Sequence, residues 1–271
     1  MRNVIKLKKT KSCSKINPYS VKRFQEYLMN AFPSKYYYFL NGWVLRFTGG
    51  ITYRANSVFP LNYTGKTSQI EHDIEIVEKA YKKYGLPTIF TMHDYFKPNN
   101  LDLILKSRGY KEDSHTNALI SNIKHLKKVE INSDYTYEIC DRRVDEFSNL
   151  LATYTKKDDE QQRIISEISE RIVIPKKCFI IAKNEEKIVG TLMGVLNSEG
   201  YLYISDLLVA PDYRRVKLAS SMIFSLIDNW ALKNAAKYLW LQVEVQNQEA
   251  NKLYMEMGMK KAYYYYYLKL N

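Results

Sequence analysis

The chain has 271 residues, 46% of them hydrophobic, enough to bury a substantial core, and the length favours two domains of ordinary size over one large one. Forty-one Lys and Arg against 29 Asp and Glu give a formal charge of +12, which favours anionic partners: nucleic acid, an acidic membrane surface or a polyphosphate cofactor. Apart from Lys6, Lys8, Lys9 and Lys11 the basic residues are spread along the chain, the pattern of a solvated surface, so neither a nucleic acid nor a membrane is expected as partner.

In chain order, "NPYSVKRFQEYLMNA" (17–31) predicts a helix opened by an Asn cap and stopped before Pro33. "GWVLRFTGGITYRANSV" alternates on both sides of Gly49 and Gly50, which predicts two strands joined by a tight turn at that pair. "SQIEHDIEIVEKAYKKYG" has helical period and ends at Gly85; "PTIFTMHD" reads as a buried strand and "NNLDLILKSRGY" as a short helix closing at Gly109. The polar, basic stretch "SNIKHLKKVEINSD" marks a boundary, dividing the chain into domains 1–126 and 127–271. Beyond it come the strand "YTYEIC", a helical region over roughly 144–173 and two strands in "CFIIAKNEEKIVGTLMGVL". The chain continues with strand "YLYISDLLVAP", helix "RRVKLASSMIFSLIDNWALKNA", strand "KYLWLQVEV", helix "NQEANKLYMEMG" and a last strand "KKAYYYYYLKL".

The two halves repeat one another. Val58 and Pro60 of "NSVFP" correspond to Val209 and Pro211 of "LLVAP", and the helix-ending glycine follows 51 residues after Val58 and 49 after Val209. The fold class is therefore α/β of the α+β kind, built twice.

Cys13, Cys140 and Cys178 are widely spaced with no CxxC pair, which argues against a disulfide framework and a zinc site and fits a reducing cytoplasm. His72, His93, His115 and His125 have no metal-ligand spacing, and no metal is expected. "YTGKTS" ends like a phosphate-binding P-loop but has Pro60 where that motif needs its first glycine, which excludes a nucleotide triphosphatase.

A different loop carries the chemistry. In "VAPDYRRVKLAS" a strand ends at Val209 and a helix starts near Val216, so unpaired backbone N–H groups and the positive end of a helix dipole converge where a pyrophosphate fits. From this loop through "LQVEVQNQEANKLYMEMGM" to the last strand, the second half resembles the GNAT family of acyl-CoA-dependent N-acyltransferases. The first half, with "TYRANSVFPL", resembles the degenerate partner domain of two-domain members. The resemblance implies two GNAT-like domains, each a mostly antiparallel mixed sheet flanked by helices, with acetyl-CoA as cosubstrate.

The family loop R/QxxGxG/A reads here "RRVKLA", with Arg214 and Ala219 in place and Lys217 at the first glycine. The resemblance assigns cofactor binding to Leu207, Leu208 and Val209 of a splayed strand. It assigns the same role to Arg214, Arg215, Val216, Lys217, Leu218, Ala219 and Ser220 of the loop, to Asn247 and to Tyr254. Tyr254 matches the family's general acid; the base is Asp206 or Glu244. Arg54, Asn56 and Ser57 are expected to face the acceptor pocket from the first half, where Leu105 stands at the counterpart of Tyr254 and has no proton to give. The expected acceptor is a small-molecule or peptide primary amine. A non-catalytic acyl-CoA sensor and a tRNA-dependent aminoacyltransferase of the cell-wall type are the alternatives, and the oligomeric state is open.

Overall fold

The computed structural model describes residues 18–270. The expected Asn17 cap, the lysine cluster and Cys13 lie outside them. The first half runs α1 (Pro18–Ala31), β1 (Tyr36–Leu40), β2 (Trp43–Phe47), β3 (Val58–Phe59), α2 (Ile70–Lys83), β4 (Thr88–His93), α3 (Leu101–Ser107) and β5 (Lys111–Asn122). The second runs β6 (Thr136–Cys140), α4 (Asp145–Thr155), α5 (Asp159–Glu170), β7 (Lys176–Asn184), β8 (Lys187–Leu196) and β9 (Tyr201–Val209). It continues with α6 (Leu218–Leu226), β10 (Tyr238–Glu244), α7 (Gln248–Glu256) and β11 (Lys260–Leu270).

The eleven strands of the described residues join one sheet in the order β1-β2-β3-β4-β11-β5-β10-β9-β8-β7-β6. The halves mirror each other in it. β1, β2 and β3 pair antiparallel and β3 meets β4 in parallel; β7, β8 and β9 do the same and β9 meets β10 in parallel. The last strand of each half has crossed over: β11 pairs with β4, β5 with β10, and β5 and β11 with each other. Neither half therefore holds a complete sheet of its own, and the halves are joined through antiparallel strand pairs, of which β5–β11 is interrupted by two register shifts. The domain division at 126/127 falls in the connection from β5 to β6.

Alternation along the strands sends side chains to two faces. On β10, Leu239, Leu241 and Val243 pack with α6 and α7, whereas Trp240 joins Phe24 of α1, Phe147 of α4 and Ile168 of α5 in the opposite layer. α1 reaches that layer because Val21, Phe24, Leu28 and Ala31 fall on one helical stripe. In α2 the stripe is Ile70, Ile74, Val77 and Tyr81, packed under Trp43 and Phe90, with Glu71 and Asp73 in its first turn and Lys82 and Lys83 in its last, each suited to the helix dipole. The expected helical region over roughly 144–173 holds two helices, separated at Lys156 in a left-handed conformation. Among the described residues no helix is long and apolar enough to cross a membrane.

The tight turn expected at Gly49 and Gly50 is elsewhere. β2 hairpins with β1 through Asn41 and Gly42, both at positive φ, and a Cβ on Gly42 would lie 2.6 Å from the Asn62 carbonyl oxygen. Gly49 and Gly50 also have positive φ, but they lead into a single 3-10 turn at Tyr53–Ala55 before β3. That turn carries Arg54.

His93, at the end of β4, is 2% exposed; its Nδ1 accepts from the Tyr95 N–H, and among the described residues Nε2 has no partner. Burial, with Lys22 adding to it, depresses its pKa from 6.5 to about 4. The folded protein thus keeps this imidazole neutral while the unfolded chain protonates it below pH 6.5. The stability this group contributes at neutral pH should be lost as pH drops from 6.5 towards 4, by roughly 3 kcal/mol in all. Urea denaturation across that range should show the loss, and His93→Leu should flatten it.

Candidate active site

β9 and β10 are register partners only from Tyr201/Tyr238 to Tyr203/Trp240. Past that point β9 stays on β8 and β10 stays on β5, so the β9 edge from Ile204 onward faces open space. The parting coincides with a bulge: the β8–β9 register slips between Thr191 and Met193, Asp206 takes φ +53°, and Thr191 Oγ1 donates to the Asp206 carbonyl at 3.0 Å. A bulge sharpens the local twist and re-aims the strand end.

The strand end runs into the loop. The Arg214 Nε–H donates to the Val209 carbonyl at 3.1 Å, folding the loop back on the strand. Arg215 and Lys217 have φ of +67° and +63°, and Lys217 is the N-cap of α6. The Lys217 carbonyl accepts from the Ser221 N–H at 2.9 Å and the Ser220 hydroxyl at 2.8 Å. Among the described residues, the N–H groups of Leu218, Ala219 and Ser220 have no internal acceptor, as expected for a first helical turn. Lys217 thus holds the left-handed geometry for which glycine is the usual residue.

The groove between this loop, β9 and α7 has a volume of about 470 Å³. It gathers Leu207, Leu208, Val209, Arg214, Arg215, Lys217, Leu218, Ala219, Ser220, Asn247 and Tyr254. Val216 stays off its wall: the side chain is exposed and the carbonyl accepts from Asn132 Nδ2 at 3.3 Å. Arg215 forms an ion pair with Glu249 of α7 across the mouth, between two highly exposed side chains. Asn247 caps α7, its Oδ1 accepting from the Ala250 N–H at 3.1 Å.

Tyr254 is 7% exposed and lines both this groove and an adjoining cavity of about 380 Å³ that also meets Asp206, Glu244 and Arg54. Burial raises the Tyr254 pKa well above the ordinary phenol value, with Tyr203 adding and Arg54 opposing, so the hydroxyl stays protonated. The two candidate bases differ. Asp206 Oδ2 is taken by the Arg143 guanidinium at 3.1 Å, a pair in which Arg143 is almost fully buried. Glu244, at the exposed end of β10, lines this cavity and a further one of about 260 Å³, and its carboxylate has no ion pair among the described residues. Arg143 was invisible to sequence reasoning, since it lies 63 residues from Asp206 with no motif connecting them.

Of the three first-half candidates only Arg54 lines these cavities. Asn56 and Ser57 are buried and hold the loop: Asn56 Oδ1 accepts from the Thr48 and Gly50 N–H groups, its Nδ2 donates to the Thr48 and Thr52 carbonyls, and Ser57 Oγ donates to the Tyr53 carbonyl. Their polar atoms are spent on the turn that presents Arg54. Among the described residues no cluster of three or more His, Cys, Asp or Glu could hold a metal ion.

Residues 137–259 match the Acetyltransferase (GNAT) family. Over 255 residues the chain is 26% identical to the uncharacterized N-acetyltransferase YobR of Bacillus subtilis (strain 168), covering 91% of this chain and 97% of that one. The fold is similar to that of a GCN5-related N-acetyltransferase from Kribbella flavida, at TM-score 0.67 and 12% identity over 92% of this chain and 94% of the other. It is also similar to a tandem GNAT protein from the clavulanic acid biosynthesis pathway, at TM-score 0.56 and 8% identity over 79% and 74%. The parted strands, the open helix N-terminus behind them and these likenesses lead to one conclusion: the chain is an acetyltransferase whose residues 137–259 form a domain of the GNAT family.

Proposed function

We propose that the protein transfers an acetyl group from acetyl-CoA to a primary amine by direct attack, with Tyr254 as general acid and Glu244, in place of Asp206, as base. The observation that carries this reading is the continuity of the free β9 edge, the unpaired N–H groups at the start of α6 and the protonated Tyr254 hydroxyl along one groove. The groove suits the cosubstrate chemically. The loop from Arg214 to Ser220 offers N–H donors, a helix dipole and cationic side chains to a pyrophosphate, and the backbone of Leu207 to Val209 offers an edge to an amide-bearing arm. Acetyl-CoA, when bound, supplies the acetyl thioester.

The chain's residues then do three things. The β9 edge fixes the arm and polarises the carbonyl with a backbone donor. Glu244 accepts the proton the amine sheds, directly or through water, as the C–N bond forms. Tyr254 donates its proton to the sulfur as the C–S bond breaks. Residues 127–271 carry these steps, and residues 1–126 supply β5 and the Arg54 wall. A thiol-release assay with acetyl-CoA and a screen of amines tests the reading; acetyl-CoA binding with no acetylated amine in any class would overturn it.

Lys217 gives a separate check. A non-glycine residue in the left-handed region costs about 1 kcal/mol, so Lys217→Gly should raise stability by about that amount and retain or tighten acetyl-CoA binding. Urea denaturation and calorimetry measure both. Equal weakening of binding in Lys217→Gly and Lys217→Ala would make the ammonium a phosphate ligand instead.

A further inference from the structure

Arg54 stands where the two cavities beside Glu244 meet, and among the described residues it is a cation without a counter-ion. Its guanidinium donates from Nη2 to the Gln242 carbonyl at 3.4 Å and meets the Tyr265 hydroxyl, and among the described residues it has no carboxylate partner. Tyr203, Tyr265 and Tyr267 surround it. Behind it lies a second guanidinium, Arg46, with no exposure at all. Arg46 donates to the Phe32 and Arg54 carbonyls and, at 2.9 Å, to Ser34 Oγ, and it lies 4.9 Å from the Phe59 ring; it too has no carboxylate partner among the described residues. The Arg46 to Arg54 carbonyl bond fixes the turn that aims Arg54 into the cavity.

A cation held in an aromatic, poorly solvated wall is costly unless something anionic meets it, and the low local dielectric strengthens whatever does. Asp206 does not serve, being held by Arg143. Glu244 does line both cavities with Arg54, but no ion pair joins them. The cavity wall therefore presents to the same space one cation and one anion that have no ion-pair partner among the described residues.

Resting on the acetyl-transfer reading above, we propose that the acceptor is a small amino carboxylate, whose carboxylate is received by Arg54 while its amine lies at Glu244, facing Tyr254. The planar guanidinium matches a carboxylate's two oxygens, which a bare amine or a polyamine lacks. Arg54 is then the specificity-determining residue, and the first half of the chain reads the acceptor while the second half carries the cosubstrate.

The test compares each proteinogenic L-amino acid with its carboxamide and its decarboxylated amine, by thiol release from acetyl-CoA and by calorimetric binding to the CoA-loaded protein. The carboxylate form of at least one amino acid should be preferred over its carboxamide by about 10- to 100-fold in kcat/KM, the range expected for hydrogen bonds to a charged group. Arg54→Gln should erase that preference with CoA affinity unchanged, and Arg54→Lys should restore part of it. Turnover of decarboxylated amines or carboxamides equal to or better than that of the carboxylates overturns the proposal and leaves acetyl transfer standing. Binding of an amino carboxylate that depends on Arg54, without turnover, overturns the transfer reading and supports the site. Absence of both binding and turnover for every amino carboxylate overturns the proposal, and a preference that survives in Arg54→Gln assigns the carboxylate to another residue.

Discussion

Tyr254→Phe should lower kcat by about 10²- to 10⁴-fold, the usual contribution of a positioned proton donor, while acetyl-CoA affinity changes little. The substitution removes the hydroxyl and nothing else of the ring. Tyr254 is buried against α6 and the β9–β10 layer, so the phenylalanine ring keeps the packing and the groove keeps its wall. Because burial raises the Tyr254 pKa above the phenol's ordinary 10, the alkaline fall of the wild-type rate assigned to this group should begin above pH 10. Single-turnover rates with CoA affinity measured in parallel decide the matter. A rate for Tyr254→Phe equal to wild type in the chemical step would make Tyr254 a packing aromatic.

What the sequence conveyed about this site follows from how local each feature is. The geometry of the loop from Arg214 to Ser220 was legible because open backbone N–H groups at a strand-to-helix turn are a local feature, and a short motif marks such a turn whatever surrounds it. Lys217 at the glycine position was equally plain, and only the structure shows that it keeps the glycine's φ of +63°. The contest between Asp206 and Glu244 was not legible. It turns on Arg143, brought to Asp206 from the connection between β6 and α4, and on the bulge that points Asp206 towards it.

The fold divides in the same way. The hairpin was misplaced because Gly49–Gly50 sits between alternating runs, while Asn41–Gly42, a stronger turn dipeptide, was passed over between "YYYFL" and "WVLRF". β5 was missed altogether: "KEDSHTNALISN" begins polar and exposed, and it becomes a central strand only because β10 and β11 flank it. The exchange of β5 and β11 between halves leaves no mark in either strand, since a strand's hydrophobic pattern states which face is buried and not which neighbour it pairs with. Yet that exchange binds the wall bearing Arg54 to the groove bearing Tyr254, through Thr116 of β5 opposite Glu244 and Tyr265 of β11 opposite Thr116.

Trp240→Ala should cost about 3–5 kcal/mol of stability, the range for removing a large buried aromatic. Trp240 is 1% exposed on β10, at 4.6 Å between ring centroids from Tyr203 and 5.1 Å from Phe24. Its place in the register makes it more than a core residue. It is opposite Ile120 on one side and Tyr203 on the other, and the Trp240–Tyr203 pair is the last before β9 and β10 part. The indole therefore props α1 against the sheet at the point where the groove opens. Removing it leaves a cavity lined by Phe24, Tyr203 and Tyr263, rings that cannot all collapse inward because each is fixed on a different element. Urea denaturation measures the loss, with Leu232→Ala, at 49% exposure, as a surface control expected within about 0.5 kcal/mol of wild type. Acetyl-CoA affinity should weaken in the same variant, because the strand separation at residue 204 is set by the pair that precedes it. A Trp240→Ala protein with unchanged stability would mean that the α1 layer does not pack on β10 as described; one with lower stability but unchanged affinity would place the control of the parting in the Asp206 bulge alone.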